Sequence, residues 1–329
     1  MGGKALKNSP VTRVDAAEHQ RISQMVTAAL TRNFPRQRNA ALPHYAKKET
    51  FGNLSVFLQS ESPMDKVLVR DLVALLGATE SVLNGNMVSL AVENLQVDIT
   101  VYPAKSFQTA LDYHSYNTLG GLIGRLADSI GLTLRDDSLV YKRIQGTQLL
   151  AEITLATTWQ GALTELGLDY QRWTQGFETL ADMFAYVTTS PLFAKALYSD
   201  AGYKDVPSGI RLTVSQEFSK WLDTVDPRQL PPDSAVSQDA WLEAMFKHHP
   251  TAQTQLTAAL QRHADVVAAS KKLNGNLVID WTGRQGYALG QLLRALKSSF
   301  DSEEALTQWT LAASEEDIKS KVFALHASV

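Results

Sequence analysis

Residues 47–61, KKETFGNLSVFLQSE, contain a basic turn, a glycine and a short apolar run. This pattern predicts that the chain turns near Gly52 and enters a β-strand over residues 54–58. A second predicted strand, residues 95–101, reads LQVDITV, with apolar residues at the odd positions and polar residues at the even positions. That period of two is typical of a sheet with one buried face. It predicts that Asp98 points to the open face of the sheet.

The rest of the chain is predicted to be mostly helical. Apolar residues at helical spacing predict helices over residues 12–33, 65–76, 106–112 and 119–130. Residues 36–48 are predicted to form a loop, and Asn84-Gly85-Asn86 predicts a hairpin between strands over residues 80–83 and 87–92. After residue 103 the pattern stays predominantly helical to the end of the sequence. These elements predict an α+β fold.

Turn-rich loops at residues 200–208 and 226–237 divide the helical part of the sequence. We therefore predict a mixed-sheet domain with helices over residues 1–150. Helical modules are predicted over residues 151–240 and 241–329.

Composition excludes several classes of site. The 329 residues carry a formal net charge of −3, so no global charge marks a nucleic-acid or membrane binder. Cysteine is absent, which excludes disulfides, thiolate catalysis and cysteine-ligated zinc. The sequence has no apolar segment of membrane-spanning length. We expect a soluble, cytoplasmic protein without a membrane partner.

The basic turn, the strand, the hairpin and the alternating strand with its acid together resemble the palm of the polymerase β-type nucleotidyltransferases. This family includes repair polymerases, CCA-adding enzymes and related phage proteins. Residues 107–141, 166–193 and 274–300 are similar to helical regions of phage-type and CCA-adding members. The resemblance implies a nucleotidyltransferase palm followed by all-α modules. It also implies a site in which three aspartates hold two Mg²⁺ ions against a triphosphate.

The family pattern has a Gly-Asp-x-Asp turn into one strand and a third Asp on a neighbouring strand. Gly52 matches the turn glycine and Asp98 matches the third acid, but Asn53 and Ser55 stand where the first two acids belong. Pro43-His44 occupies the position of the family's Gly-Ser pair. Two of the three expected metal-binding carboxylates are therefore missing.

The resemblance also implies residues for nucleotide binding. Lys47 and Lys48 match a basic pair of phage-type members, and Arg125 lies on a helix that faces this region in the family pattern. With Gly52 they form the implied nucleotide-binding set. Residues 199–222, in contrast, carry little of the positive charge that phage-type members usually have there.

The missing acids argue against metal binding. Magnesium prefers anionic oxygen ligands, and each carboxylate lost at about 4 Å forfeits roughly 4 kcal/mol of attraction at an effective dielectric of about 20. We therefore expect no firmly bound cofactor, with Mg²⁺ held through Asp98 only if the protein is active. The nearest acids in the sequence that are candidates to replace the missing ones are Glu49, Glu61 and Asp65.

The function expected from this pattern is that of a phage-encoded, non-catalytic nucleotidyltransferase-fold protein. It would act as a binding, assembly or virion subunit with a protein partner or by self-assembly, in the host cytoplasm or in the virion. The alternative is an active enzyme that transfers a nucleotide from an NTP to an RNA end or a protein hydroxyl. RNA binding without catalysis is a third interpretation.

Several features also have plain structural interpretations. Asp98 is equally typical of a solvated strand residue, and Lys47 and Lys48 are typical of a solvated turn. His248-His249-Pro250 indicates a helix end rather than a metal site, because no third ligand stands at a suitable spacing. The tryptophans have the spacing of core residues, and Gly283, Gly286 and Gly290 lack the spacing of a dinucleotide fingerprint.

Overall fold

The computed structural model of the protein describes residues 5–116, 119–198, 210–231 and 237–328. The predicted loop at residues 200–208, residues 199–209 of the stretch 199–222, and residues 232–236 of the predicted loop at 226–237 lie outside the described residues. The strands are β1 (Val14–Asp15), β2 (Asn39–Ala41), β3 (Thr50–Phe51), β4 (Asn53–Gln59), β5 (Ser81–Asn84), β6 (Met87–Val92), β7 (Leu95–Tyr102), β8 (Leu132–Leu134), β9 (Leu139–Gln145) and β10 (Gln148–Ala156).

The helices of the first 250 residues are α1 (Ala16–Asn33), α2 (Lys66–Leu76), α3 (Ala104–His114), α4 (Leu119–Ser129), α5 (Trp159–Glu165), α6 (Tyr170–Thr174), α7 (Leu180–Thr188), α8 (Ile210–Thr224) and α9 (Gln238–His248). They are followed by α10 (Pro250–Lys272), α11 (Gly275–Thr282), α12 (Gly286–Ser298), α13 (Glu303–Ala312) and α14 (Glu315–His326). The predicted α+β class is confirmed: a mixed sheet with helices precedes a helical C-terminal region.

The main sheet has five strands in the order β2-β4-β7-β6-β5. Strands β4 and β7 run parallel, with Ser55 opposite Asp98, whereas the other neighbours are antiparallel. One face packs against α1 and α2, where Ile22, Val26 and Leu72 join the core with Val97 and Ile99. The alternation along β7 thus places its odd-numbered residues in this core.

Local sequence signals set the ends of these elements. The Asp15 side chain accepts a hydrogen bond from the Glu18 N–H and caps α1, and Asp65 caps α2 in the same way through Leu68. Gly77 ends α2 in the left-handed conformation, with φ of 61°. The Gly85-Asn86 turn joins β5 to β6, as the hairpin signal predicts.

The opposite face of the main sheet is also covered. Toward the carboxyl ends of β4 and β7, Phe57 packs with Phe107 and Ala110 of α3. Near the amino ends, the N-terminal segment, residues 5–12, brings Leu6 into a buried position. This face is therefore not the open face predicted from the sequence.

Strands appear in several places where none is predicted, including the short antiparallel pair of β1 and β3. Asn39–Ala41 forms β2 within the predicted loop, because it pairs with β4 along the main sheet. Residues 132–156 form a second sheet of three strands in the order β10-β9-β8, where a predominantly helical chain is predicted. The buried residues Ala151, Ile153 and Leu155 of β10 have a period of two, a local strand signal within an otherwise helical context.

The chain divides into two compact units. One consists of Met1–Lys142 and Thr154–His249, and the other of Arg143–Ile153 and Pro250–Val329. The boundary predicted at residue 150 falls inside β10. In the second unit, Val278, Leu292, Leu296 and Val322 form a small core between α11, α12 and α14.

The histidine pair and the tryptophans lie within the described residues. His248 ends α9, and His249 is its C-cap, as expected of a helix-end pair. Trp159 and Trp173 are buried, with 2% and 7% exposure. No helix in the described part of the chain is long and apolar enough to cross a membrane.

Candidate functional site

Asn53, Ser55 and Asp98 meet on one face of the main sheet. Asn53 and Ser55 are two residues apart on β4, so their side chains share a face, and the parallel register sets Ser55 beside Asp98 of β7. The Asn53 side-chain nitrogen donates to Asp98 Oδ2 at 2.7 Å and to Ser55 Oγ at 3.1 Å. The three positions singled out in the sequence therefore form one hydrogen-bonded cluster.

Two residues that sequence reasoning missed complete this cluster. Ser89 Oγ of β6 donates to Asp98 Oδ1 at 2.6 Å, and Gln96 Nε2 of β7 donates to the same oxygen at 2.8 Å. Both are buried. Asp98 thus accepts three hydrogen bonds from neutral side chains, one on Oδ2 and two on Oδ1. We call these five side chains, Asn53, Ser55, Ser89, Gln96 and Asp98, the Asp98 cluster.

The prediction that Asp98 points to an open face is wrong, because Asp98 is only 7% exposed. It does lie on the face opposite the apolar core, as the alternation predicts. That face is closed by its own polar neighbours and by the N-terminal segment, whose Ala5 N–H donates to Gln96 Oε1 at 3.2 Å. Gln96 therefore links the segment directly to the Asp98 carboxylate.

Glu80 holds the N-terminal segment in place. Its carboxylate accepts hydrogen bonds from the backbone N–H groups of Lys7, Asn8 and Ser9, at 3.0, 2.9 and 2.7 Å. These bonds lower the pKa of Glu80, and the bond from the Lys7 N–H contributes most. Successive backbone donors converging on one carboxylate form a well-defined anchor next to the Asp98 cluster.

The residues predicted to bind a nucleotide contact different parts of the protein. Lys47 forms an exposed ion pair with Glu178 at 2.8 Å, and the Lys48 ammonium lies 4.7 Å from the centre of the Phe51 ring. Burial, followed by the charge of Arg13, lowers the pKa of Lys48 to about 8. Arg125 donates to the Leu197 carbonyl at 3.3 Å. Gly52 joins β3 to β4.

The backbone of the basic turn is also engaged. The N–H groups of Ala46 and Lys47 donate to the carbonyls of Phe177 and Glu178, both at 2.8 Å, and the Lys48 N–H donates to the Tyr45 carbonyl at 3.2 Å. An anion cradle of the kind implied by the family requires free N–H groups at this turn. These three donors are committed to protein carbonyls.

A buried histidine lies between the basic turn and the Asp98 cluster. The His19 ring stacks on Phe51 at 3.9 Å between centroids, and His44 contacts Phe51 edge-on at 4.6 Å. Burial, the nearby charges of His44 and Lys48, and an opposing hydrogen bond with the Asn53 backbone set the pKa of His19 to about 4. Burial also lowers the pKa of His44. Both imidazoles are thus mostly neutral near pH 7.

The acids considered as replacements have other roles. Glu61 Oε1 accepts the Ala104 N–H at 2.8 Å, at the start of α3, and Asp65 caps α2. Glu49 is exposed in the turn. Within the described residues, no group of three or more histidines, aspartates and glutamates is arranged to hold a metal ion.

The Asp98 cluster does not fit the two Mg²⁺ ions that the resemblance implies. It contains one carboxylate, and the Asn53 amide directs its nitrogen, a hydrogen-bond donor, toward that carboxylate. Mg²⁺ needs oxygen ligands, preferably anionic, in near-octahedral geometry. The side chains around Asp98 donate hydrogen bonds to its carboxylate, whereas a two-metal site would need side chains that bind metal ions.

Comparisons with known proteins assign no family, since no protein-family model and no curated protein sequence matches this chain. The nucleotidyltransferase resemblance therefore stays a prediction from the sequence pattern.

Proposed function

We propose that this protein is a non-catalytic nucleotidyltransferase-like protein, in which a palm fold has been kept as a scaffold for binding or assembly. The observation that carries the proposal is the set of hydrogen bonds that the Asp98 carboxylate accepts. Its carboxylate accepts hydrogen bonds from Asn53, Ser89 and Gln96, at 2.7, 2.6 and 2.8 Å. Neutral donors take the place that cations occupy in a two-metal site.

The type of residue at each position supports this proposal. Three carboxylates on adjacent strands repel one another unless metal ions offset their charge. With Asn53 and Ser55 in two of the three positions, the remaining carboxylate accepts its hydrogen bonds from neutral side chains among the described residues. Charged-to-neutral exchanges of this kind stabilise a fold once metal binding is no longer required.

The surroundings of the cluster support the same conclusion. A substrate triphosphate would need access to Asp98 and free donors at the basic turn. Asp98 is 7% exposed, and the N-terminal segment is bonded to its neighbour Gln96 at 3.2 Å. The Ala46 and Lys47 N–H groups donate to Phe177 and Glu178. Substrate access and phosphate binding would therefore both require the local structure to open.

A binding or assembly role is consistent with one edge of the main sheet. Strand β5 is the last strand on one side, and its residues are exposed, including Val82 at 37% and Leu83 at 40%. An exposed edge strand can pair with a strand of another chain. The assignment to a phage and to a virion rests on sequence resemblance alone.

The test is a transfer assay with the full chain. The protein is incubated with Mg²⁺ and each labelled nucleoside triphosphate, with RNA and with the protein itself as acceptors. We expect no incorporation of label. Incorporation by the unmodified protein that is lost in a folded Asp98→Ala variant and kept in Asp71→Ala, a change on the exposed face of α2, would instead establish an active nucleotidyltransferase.

A further inference from the structure

A cavity of about 560 Å³ lies in the first compact unit, apart from the Asp98 cluster. Among the described residues, its walls include His44 beside the basic turn, Tyr116 after α3, and Arg172 and Gly176 around the end of α6. None of the five side chains of the Asp98 cluster lines it. Its lining carries ionisable side chains that the proposed function does not use.

Arg172 is a cation in the lining of this cavity. Its side chain is half-buried, with Nη1 donating to the Gly176 carbonyl at 2.6 Å and the guanidinium carbon 4.9 Å from the centre of the Phe177 ring. A guanidinium has five N–H donors in a planar fork. In the described part of the chain, no carboxylate forms an ion pair with Arg172. It is held in place by a carbonyl and a ring, which leave most of its donors and its charge available.

The two acids of the lining are already engaged. Glu178 pairs with Lys47 at 2.8 Å. The carboxylate of Asp182 accepts the Thr179 N–H at 3.0 Å in the capping box of α7. The charge of Glu178 is offset by a cation, and the carboxylate of Asp182 is stabilised by a backbone N–H. Among the described residues, Arg172 is the arginine of the lining, and it forms no ion pair with either acid.

Tyr116 is held beside Arg172 at a backbone cost. Its φ is 57°, in the left-handed region that bulky residues rarely adopt, and its N–H donates to the Pro43 carbonyl at 2.9 Å. A Cβ at Gly176 would lie 3.3 Å from the Tyr116 hydroxyl, so the glycine allows this close approach. Strained backbone is concentrated at functional sites, where surrounding contacts hold it.

The protonation state of Tyr116 suits a hydrogen-bond donor. Burial raises its pKa, as does the charge of Asp112, while Arg172 acts in the opposite direction. The phenol therefore keeps its proton at neutral pH. Together, the guanidinium and the phenol provide hydrogen-bond donors in the lining of this cavity.

We propose that this cavity binds a small organic oxyanion, a carboxylate or a phosphoryl group, through the Arg172 fork and the Tyr116 hydroxyl. Planar pairs of N–H donors match both kinds of oxyanion. The site does not depend on the palm assignment or on the loss of catalysis at Asp98. Its failure would leave the proposed function unaffected.

The experiment is calorimetric titration of the full chain with inorganic phosphate and, separately, with succinate. We expect at least one probe to bind at millimolar concentrations or below. Arg172→Gln should weaken that binding at least about tenfold, as expected for loss of a charged hydrogen bond. The matched control is Arg70→Gln, because Arg70 is an exposed arginine paired with Asp71 on α2. It should bind like the unmodified protein.

Because Arg172 also donates to the Gly176 carbonyl, Arg172→Gln removes a structural contact as well as a ligand contact. Two further variants separate these two effects. Tyr116→Phe removes only the hydroxyl and should weaken binding about 3- to 10-fold. Arg172→Lys keeps the charge but not the fork and should bind more weakly than the unmodified protein. Binding of phosphate alone, or of succinate alone, identifies the group. The proposal is overturned if neither probe binds, or if binding is unchanged in Arg172→Gln and Tyr116→Phe.

Discussion

Asn53 and Asp98 lie on adjacent parallel strands, and the Asn53 amide donates to Asp98 Oδ2 at 2.7 Å. The same positions would both be acids in the nucleotidyltransferase pattern. The amide turns a repulsive pair into an attractive one without a metal ion. The stability of the main sheet should therefore depend on this contact.

Removal of the Asp98 carboxylate should destabilise the protein. Asp98→Ala leaves buried donors on Ser89 and Gln96 without their acceptor, and each unsatisfied group costs about 1–3 kcal/mol. We expect the free energy of unfolding to fall by roughly 2–4 kcal/mol, measured by urea denaturation. Asp71→Ala removes an acid that is 52% exposed and should change stability little. Equal effects of the two changes would contradict a structural role for Asp98.

Asn53→Asp should destabilise the protein in the absence of metal. It places a second carboxylate against Asp98, and like charges at this distance disfavour joint ionisation. The pKa of the pair should rise, so that the folded state binds more protons than the unfolded state. The loss of stability should therefore be largest near pH 7 and should shrink as the pH falls toward 5.

The matched control for this change is Asn84→Asp, on the exposed strand β5. It should show neither the loss at pH 7 nor the recovery at lower pH. Chemical denaturation at several pH values measures both variants. A fully stable Asn53→Asp protein at pH 7 would show that the Asn53–Asp98 contact is not important.

Buried His19 should make stability depend on pH. Its pKa is lowered to about 4 in the folded state, so between about pH 6.5 and 4 the unfolded state binds the extra proton. Stability should be unaffected by His19 above this window and should fall as the pH is lowered through it, by up to roughly 2–3 kcal/mol.

Replacement of His19 by a residue that does not titrate tests this assignment. In His19→Phe, the fall in the free energy of unfolding between pH 6.5 and 4.5 should be smaller than in the unmodified protein. His248→Asn changes an exposed histidine and should leave the pH profile unchanged. An identical profile in His19→Phe would exclude His19 as the source of the acid sensitivity.

Glu80 should control the cover over the Asp98 cluster. Glu80→Ala removes the acceptor of the Lys7, Asn8 and Ser9 N–H groups. We expect faster amide hydrogen exchange over residues 5–9 and little change in the core strands. Glu304→Ala, a substitution in the second compact unit, serves as the control. Unchanged exchange at residues 5–9 in Glu80→Ala would show that the segment is held by other contacts.

The sequence was sufficient to predict the local part of this site. The glycine turn, the predicted strand over residues 54–58 and the period of two in LQVDITV place Ser55 and Asp98 on two strands, with Asp98 opposite the core. Asn53, predicted in the turn, is instead the first residue of β4. The parallel pairing of β4 with β7 is a non-local contact that local patterns do not specify. The resemblance supplied the expectation that these positions meet.

The features of the site that the sequence did not predict depend on tertiary structure. Ser89 reaches Asp98 only because β6 pairs with β7 in one register, in which the two residues are opposite each other. The contact of the N-terminal segment with the Asp98 cluster is also non-local, since Ala5 and Gln96 are 91 residues apart. The sheet of β8, β9 and β10 was missed because its strands follow two helices and precede several more.

The most direct test of the central claim is calorimetric titration of Mg²⁺ into the unmodified protein and into the Asn53→Asp/Ser55→Asp double variant. The claim is that protein donors have replaced metal ions at Asp98. It predicts no binding heat for the unmodified protein and measurable Mg²⁺ binding once both acids are restored. Binding of Mg²⁺ to the unmodified protein that disappears in Asp98→Ala would contradict it.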